Sequence, residues 1–294
     1  MRLKLLPNRR QGTQSATADV GPPGARYVAR MPQSLASGAR IPYTACPLCA
    51  LTELRQVRVD SCATHPLYDP RIPAEMRWMQ CLGCWHIFTE GYFTPAACEV
   101  LFSRTNTNQQ VGHDFERQRP VSARIVEKVL PWAQDGAWLD VGCGNGSLLF
   151  TAQEYGFSAV GTDLRAGNVE TLKKCGIDGL CVDLLSLDAP ETFRVISMAD
   201  VLEHMPFPKA GLAHARTLLK PDGVVFLSMP NLDCIPWKLL DGQKQNPYWG
   251  ELEHYHNFGR RRLYALLEET GFRPVRYGIS ERYRVCMEVI AQRM

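Results

Sequence analysis

What the chain lacks narrows its class first. No apolar run approaches the ~20 residues that cross a bilayer; the longest uncharged apolar stretches, such as residues 223–230, are less than half that long. Membrane insertion is therefore not expected. No secretory apolar segment stands near the first residue, and no internal repeat is visible. Charged residues are only 21% of the 294 and hydrophobic residues 45%, an ordinary globular composition. That excludes a fully disordered chain, a collagen-like repeat and a coiled coil. Acids are scarce at one end only. Residues 1–40 hold seven Arg and Lys against the single acid Asp19, which leaves 26 bases and 29 acids for the rest. The basic excess sits in a tail and the body is near neutral, which weakens the case for a nucleic-acid partner.

What is present is ordered along the chain. Residues 1–42, rich in Gly, Pro, Ser, Ala and Arg, read as a flexible basic leader; their composition also resembles that of an organelle transit peptide. Residues 43–112 carry two cysteine pairs and little long periodicity. From 113 to 294 the pattern changes. An amphipathic helix is expected over 118–132, then strands at 137–141, 158–162, 179–182, 193–198 and 224–229. Helices are expected at 146–155, 166–175 and 208–219, with Lys220-Pro221-Asp222-Gly223 as a helix stop and turn. Strands alternating with helices imply an α/β fold with a mostly parallel sheet. A last helix over 261–270 ends at Gly271, a suitable glycine for a helix C-terminus. Runs at 273–279 and 284–291 then suit an antiparallel hairpin.

The glycine-rich turn is the strongest local signal. In Trp138-Leu-Asp-Val-Gly-Cys-Gly-Asn-Gly-Ser-Leu-Leu149 a strand enters glycines 142, 144 and 146 and a helix leaves. Glycine lets the backbone reverse and lets a ligand approach closely, and amides at a helix start favour an anionic group. The spacing departs from the dinucleotide fingerprint, so a pyrophosphate is disfavoured. Asp140 ends the first strand, where a cationic ligand group can use it. Asp163 ends the second, 23 residues later, near the spacing of a ribose-binding acid. A nucleoside-type ligand follows from that pair.

These residues resemble the first motif of class I S-adenosylmethionine-dependent methyltransferases, and the resemblance runs from about residue 118 onward. Val160-Gly-Thr-Asp163 is similar to the family's second-strand acid. Ala199-Asp-Val-Leu-Glu-His-Met-Pro206 resembles the segment after the fourth strand in the subgroup that contains ubiquinone-pathway O-methyltransferases. Leu218-Leu-Lys-Pro-Asp-Gly-Val-Val225 is similar to the family's turn into strand five. Glu253-His-Tyr-His-Asn-Phe258 and the following 262–272 resemble that subgroup's histidine segment and closing helix. The resemblance implies a Rossmann-like core with a seven-stranded sheet and S-adenosyl-L-methionine as cofactor. It places the amides of Gly142 and Gly144 against the methionine moiety and Asp140 by its amino group. It places Asp163 on the ribose hydroxyls, Leu164 on adenine, and Asp183 with Leu184 around the adenine amino group; a plain turn acid is the other reading of Asp183.

The acceptor is less constrained. Methyl transfer to oxygen or carbon needs alignment and, where a proton must leave, a base. His204, His254 and His256 are the candidates; each is equally a loop histidine beside a carboxylate. Two nucleic-acid chemistries are disfavoured. Where exocyclic-amine enzymes carry Asp/Asn-Pro-Pro-Tyr/Phe, this chain reads Ala199-Asp-Val-Leu, and no cysteine nucleophile lies in residues 196–210. A small-molecule acceptor is therefore expected, with an RNA methyltransferase as the alternative. Between strand five and the last helix lie Trp237, Tyr248, Trp249, Tyr255 and Phe258, which read as a substrate lid or as loop aromatics packed on the core.

Eleven cysteines, an odd number, several of them in apolar or glycine-rich runs, point to a reducing compartment, taken as cytoplasmic. Cys46-Pro-Leu-Cys49 and Cys81-Leu-Gly-Cys84 are two knuckles separated by 31 residues. Two such knuckles can present four thiolates to one structural zinc. A redox pair would need a thioredoxin-like βαβ context, which neither knuckle has. The gap exceeds that of a minimal ribbon, so a hairpin is expected between them, with Val57, Val59, Trp78 and Met79 in its strands. His86 is a spare ligand, and Cys62 and Cys98 are expected to pack as small apolar groups. A zinc module ahead of such a core resembles bacterial sugar C-methyltransferases and methyltransferases of polysaccharide or natural-product pathways. It resembles the finger of rRNA guanine methyltransferases more loosely.

Overall fold

Hydrophobic periodicity sets the elements, and their packing sets the site. The computed structural model describes residues 4–5 and 38–294. In chain order the strands are β1 (Lys4–Leu5), β2 (Arg40–Pro42), β3 (Leu54–Ser61), β4 (Glu75–Cys81), β5 (Ile87–Thr89), β6 (Gly91–Phe93), β7 (Ala137–Val141), β8 (Ser158–Thr162), β9 (Asp178–Leu180), β10 (Leu187–Asp188), β11 (Phe193–Ala199), β12 (Leu219–Pro230), β13 (His256–Asn257), β14 (Phe272–Ile279) and β15 (Cys286–Arg293). The helices are α1 (Pro95–Phe102), α2 (Phe115–Val129), α3 (Ser147–Glu154), α4 (Ala166–Lys174), α5 (Pro208–Leu218), α6 (Ile235–Gly242) and α7 (Arg260–Glu269). No helix among the described residues is long and apolar enough to cross a membrane.

The central sheet has seven strands in the order β14-β15-β12-β11-β7-β8-β9. β12, β11, β7, β8 and β9 run parallel, and β14 and β15 are antiparallel at one edge. This is the α/β, mostly parallel architecture that the strand and helix pattern implied, with the seven strands that the resemblance implied. The inner strands read as continuous apolar runs because helices cover both faces. β11 buries every residue except Arg194.

Two of the boundaries that differ from the sequence expectation change the architecture. Lys220-Pro221-Asp222-Gly223 belongs to β12 as an irregularity, exposed up to Asp222 and buried at Gly223, because Phe193 pairs with Leu219 and Val195 with Val224. The proline and glycine bend the strand without ending it. Residues 40–42, expected in the leader, form β2 against β6; Arg40 donates to the Gly91 carbonyl and lies over the Phe93 ring. The rest of the expected leader lies outside the described residues, apart from Lys4–Leu5 and residues 38–39.

The cysteine region forms a four-stranded sheet in the order β13-β5-β4-β3. Its fourth strand, β13, comes from the segment just ahead of α7, about 170 residues downstream of β5 in sequence. The two regions also share cores. Cys46, Leu48, Cys81 and Phe88 pack in one cluster with Leu139, Met198 and Leu227. Trp78, Phe93 and Leu101 pack in another with Trp237, Trp249, Leu252 and Tyr255. Most of the aromatic segment 237–258 thus packs on the cysteine module, while Phe258 joins the cluster of the central sheet.

Candidate functional site

The parallel strands deliver their ends to one edge of the sheet, where ligands of such folds bind. After β7 the backbone turns through Gly142, Gly144 and Gly146, with φ of +64°, +48° and +75°. L-residues rarely adopt that region, so the three positions require glycine. Their surroundings differ. A Cβ on Gly142 would lie 2.7 Å from Val201 Cγ2, and one on Gly146 would lie 2.7 Å from Leu172 Cδ2. One on Gly144 would meet nothing closer than the Gly142 carbonyl oxygen at 3.9 Å. Gly144 therefore presents the open side of the turn.

Two buried acids flank it. The Gly144 N–H donates to Asp163 Oδ2 (3.0 Å) and the Arg165 N–H to Asp163 Oδ1 (2.8 Å). Each carboxylate oxygen keeps a further lone pair for a hydroxyl donor. Asp140 lies one strand away. The Ser197 hydroxyl donates to its Oδ1 (2.5 Å) and itself accepts from Trp138 Nε1–H (2.8 Å). Burial pushes the Asp140 carboxyl up to about 6 despite that bond.

The next loops supply apolar side chains. Leu164 is exposed after β8. Asp183 is exposed after β9 and caps its turn by accepting from the Leu185 N–H (2.8 Å). Leu184, expected to face a ligand, is corrected by its burial in the main core; the exposed apolar side chain on this loop is Leu185. Sequence reasoning missed Leu185 because the two leucines are adjacent and only the turn geometry separates them. Ser197 was also missed, although a hydroxyl in an otherwise apolar inner strand is a readable signal.

On the acceptor side, Val201, which packs against Gly142, leads into a short turn, Leu202–His204, that carries Glu203 and His204. Asp200 has φ of +59°, an uncommon backbone for a non-glycine residue. The Ser228 hydroxyl and Arg282 Nη1 lie 3.2 Å and 3.6 Å from its carboxylate oxygens. Glu203 is buried with neither carboxylate oxygen bonded, and burial pushes its carboxyl well up. His204 Nδ1–H donates to the Glu253 carbonyl (2.9 Å), which leaves Nε2 as the lone-pair nitrogen. The His254 ring lies edge-on to it, with centroids 4.6 Å apart. Burial drives His254 down to about 3, so it is neutral and a weak base. One ligand atom each from Glu203, His204 and His254 fall within 4.8 Å of one another, a set able to pass a proton or hold a cation.

His256 does not join them. It is buried, with Nδ1 3.0 Å from His86 Nε2 and Nε2 2.9 Å from the Met205 carbonyl. Both ring nitrogens are engaged and burial lowers its pKa to about 3, so the expectation that it serves as a base is corrected. His65 enters instead, unforeseen: its Nε2 lies 2.6 Å from Glu251 Oε1. Burial works against the Glu251 carboxylate, but the His65 hydrogen bond and nearby imidazoles outweigh it and hold it at about 2. Arg165, two residues past Asp163, pairs with Glu253 at 2.9 Å, both side chains only about a tenth exposed. That ion pair ties the ligand edge to the aromatic segment.

The four cysteines converge. Cys46 Sγ and Cys84 Sγ are 3.6 Å apart, Cys49 Sγ and Cys81 Sγ 3.5 Å, and all four lie within 4.8 Å of one another. A tetrahedron of ~2.3 Å metal–sulfur bonds has edges of about 3.8 Å, so the set fits one zinc. The knuckles share a geometry. Ala50 N–H donates to the Cys46 carbonyl and Trp85 N–H to the Cys81 carbonyl, and Ala50 and Trp85 both have φ of +62°. The hydrogen bond from Cys46 holds the Cys84 thiol below its usual range. His86 is turned away to His256, and Cys62 is buried among apolar groups.

Comparison with known proteins places this geometry. A family described as a methyltransferase domain matches residues 114–277, more than half of the chain. The ubiquinone biosynthesis O-methyltransferase of Idiomarina loihiensis is 32% identical over 109 residues, 34% of this chain and 45% of that protein. That of Parvibaculum lavamentivorans is 30% identical over 146 residues, 47% of this chain and 52% of that protein. The chain thus spans about half the length of the curated relatives it matches. The Burkholderia thailandensis 1,6-didemethyltoxoflavin-N1-methyltransferase, solved with 1,6-didemethyltoxoflavin and S-adenosylhomocysteine, superposes with a TM-score of 0.51 at 18% identity, over 73% of this chain and 98% of that one. Fold and family agree: the chain belongs to the class I S-adenosylmethionine-dependent methyltransferases.

Proposed function

We propose that this protein transfers the methyl group of S-adenosylmethionine to an oxygen or carbon of a small-molecule acceptor. The observation that carries the reading is the glycine turn bonded to Asp163, with Gly144 open and Asp140 buried beside it. Asp140 holds the ammonium of the cofactor and Asp163 its ribose hydroxyls. Leu164 and Leu185 enclose the adenine, whose amino group Asp183 accepts from. Bound there, the cofactor supplies an electrophilic methyl on sulfur. The chain aligns the acceptor opposite and His204 Nε2 takes its proton, with Glu203 and His254 close enough to relay it. The aromatic segment 237–258 excludes water. Cys46, Cys49, Cys81 and Cys84 hold a structural zinc with no open position for chemistry. The O-methyltransferases at about 30% identity support a small acceptor.

Calorimetry of the full chain with S-adenosylmethionine tests the reading. Two hydrogen bonds to a charged group together represent roughly a 100-fold effect, so Asp163→Ala should weaken binding by about that factor. Unchanged affinity would remove the ribose assignment, and a wild-type chain that binds no cofactor would remove the activity.

A further inference from the structure

His86 lies two residues beyond the second cysteine knuckle, outside the acceptor region, yet its hydrogen bonds lead there. The Met205 carbonyl can only accept, so His256 carries its proton on Nε2 and donates it at 2.9 Å. His256 Nδ1 then presents a lone pair, and His86 Nε2–H must donate to it across 3.0 Å. His86 Nδ1 is left as a buried lone pair with no partner among the described residues. The tautomers are thereby fixed along a directed chain from the knuckle to the residue that follows His204.

The chain does not act alone. Of the four carbonyls from Glu203 to Pro206, three accept a hydrogen bond from outside the stretch. Tyr255 N–H donates to Glu203 (2.9 Å), His256 to Met205, and the Tyr43 hydroxyl to Pro206 (2.7 Å). Tyr43 stands just before the first knuckle, and β13, which carries His256, pairs with β5 of the cysteine sheet. His86 itself is anchored by the Cys81 N–H donating to its carbonyl (3.0 Å) and by rings of Phe88 and Phe258 at 5.8 Å and 4.8 Å. None of these contacts touches Asp140, Gly144 or Asp163.

We propose that His86 is a positioning residue: through His256 and Met205 the cysteine module sets the place of the His204 imidazole, independently of the cofactor cleft. The proposal rests on His204 being the acceptor-side base. Donation, not bulk, is what His86 contributes, so two substitutions separate the roles. His86→Gln keeps a donor near the Nε2 position. His86→Phe keeps a ring and removes the donor.

The test uses full-length, metal-replete protein. Side-chain NMR should show buried imidazole N–H protons for His86 and His256 in the parent. In His86→Phe the first is lost, the His256 and His204 ring signals move, and amide exchange over residues 203–205 rises about tenfold, the scale of one buried hydrogen bond. In His86→Gln the His204 signals and the exchange rates return to near parental values. S-adenosylmethionine affinity should stay within about twofold in both variants, since cofactor and module contacts are separate. Unmoved His204 signals in the Phe variant, or a Gln variant that behaves like Phe, would overturn the proposal. So would a Phe variant whose cofactor affinity falls with its exchange protection. A parent that binds no cofactor would strike the proposed activity instead, and the His204 signals would still decide the positioning.

Discussion

Asp140 and Gly144 carry the sharpest consequences for single residues. Asp140 is a buried acid, and burial pushes its carboxyl up to about 6 against the pull of Ser197 and Arg282. A fixed positive charge beside it favours the ionised form, so binding an ammonium releases a proton wherever the free acid is protonated. Cofactor affinity should therefore be flat above pH 6 and fall by up to tenfold per unit below it. Stability runs the other way, since the folded state holds this proton more tightly than the unfolded chain and loses that contribution as pH rises toward 6. Calorimetry from pH 5 to pH 8 checks the first sign; Asp140→Asn should bind weakly with no such slope. Gly144 separates strain from occlusion. Gly144→Ala forces alanine to φ of +48°, a cost of roughly 1–2 kcal/mol in stability. Its methyl also enters the open side of the turn, so cofactor affinity should fall by more than tenfold. Denaturant titration and calorimetry on the same variant test both parts; normal binding would mean that the ligand approaches elsewhere.

Among elements, the strand that matters most is one of the shortest. β13 has two residues, yet it completes the cysteine sheet and carries the His256 bond to Met205. Around it, Trp78 seals the seam: it is fully buried, its Nε1–H donates to the Trp249 carbonyl (2.8 Å), and the two indoles meet edge-on at 5.4 Å. Trp78→Ala should destabilise by about 3–5 kcal/mol, and the loss should appear equally in the fluorescence of the aromatic segment and in exchange from the cysteine sheet. If only the cysteine sheet loosens, the seam does not couple them. The same strand marks where sequence reading stops. β7, β8 and the glycine turn were legible because alternation, glycine and end-of-strand acids act within about 25 residues of one another. α2 was read three residues late; it begins at Phe115 and holds Pro120 in its second turn. β13 gave no local signal, because two residues have no period and its partner lies far away in sequence. His65 and His86 were invisible as neighbours of the acceptor side for that reason.

For the whole molecule, the question is whether the cysteine module is an appendage or part of one core. An appended zinc module would lose its fold on chelation and leave the methyltransferase sheet intact. Here Cys46, Leu48 and Cys81 are themselves members of the cluster that holds Leu139, Met198 and Leu227. Tyr43, Lys209 and the β5–β13 pairing add further ties across the boundary. Removing the ion leaves four thiols within 4.8 Å, which repel as thiolates or need protons that metal binding had displaced. That cost falls on the shared core. The purified chain should contain about one zinc. A strong chelator should lower the melting temperature of the entire chain while it still unfolds in one transition, with the central-sheet and module probes coincident. Zinc readdition should restore the original midpoint. Two separated transitions after chelation, or a central sheet that melts where it did before, would make the module an independent domain and remove the physical route by which its cysteines act on His204.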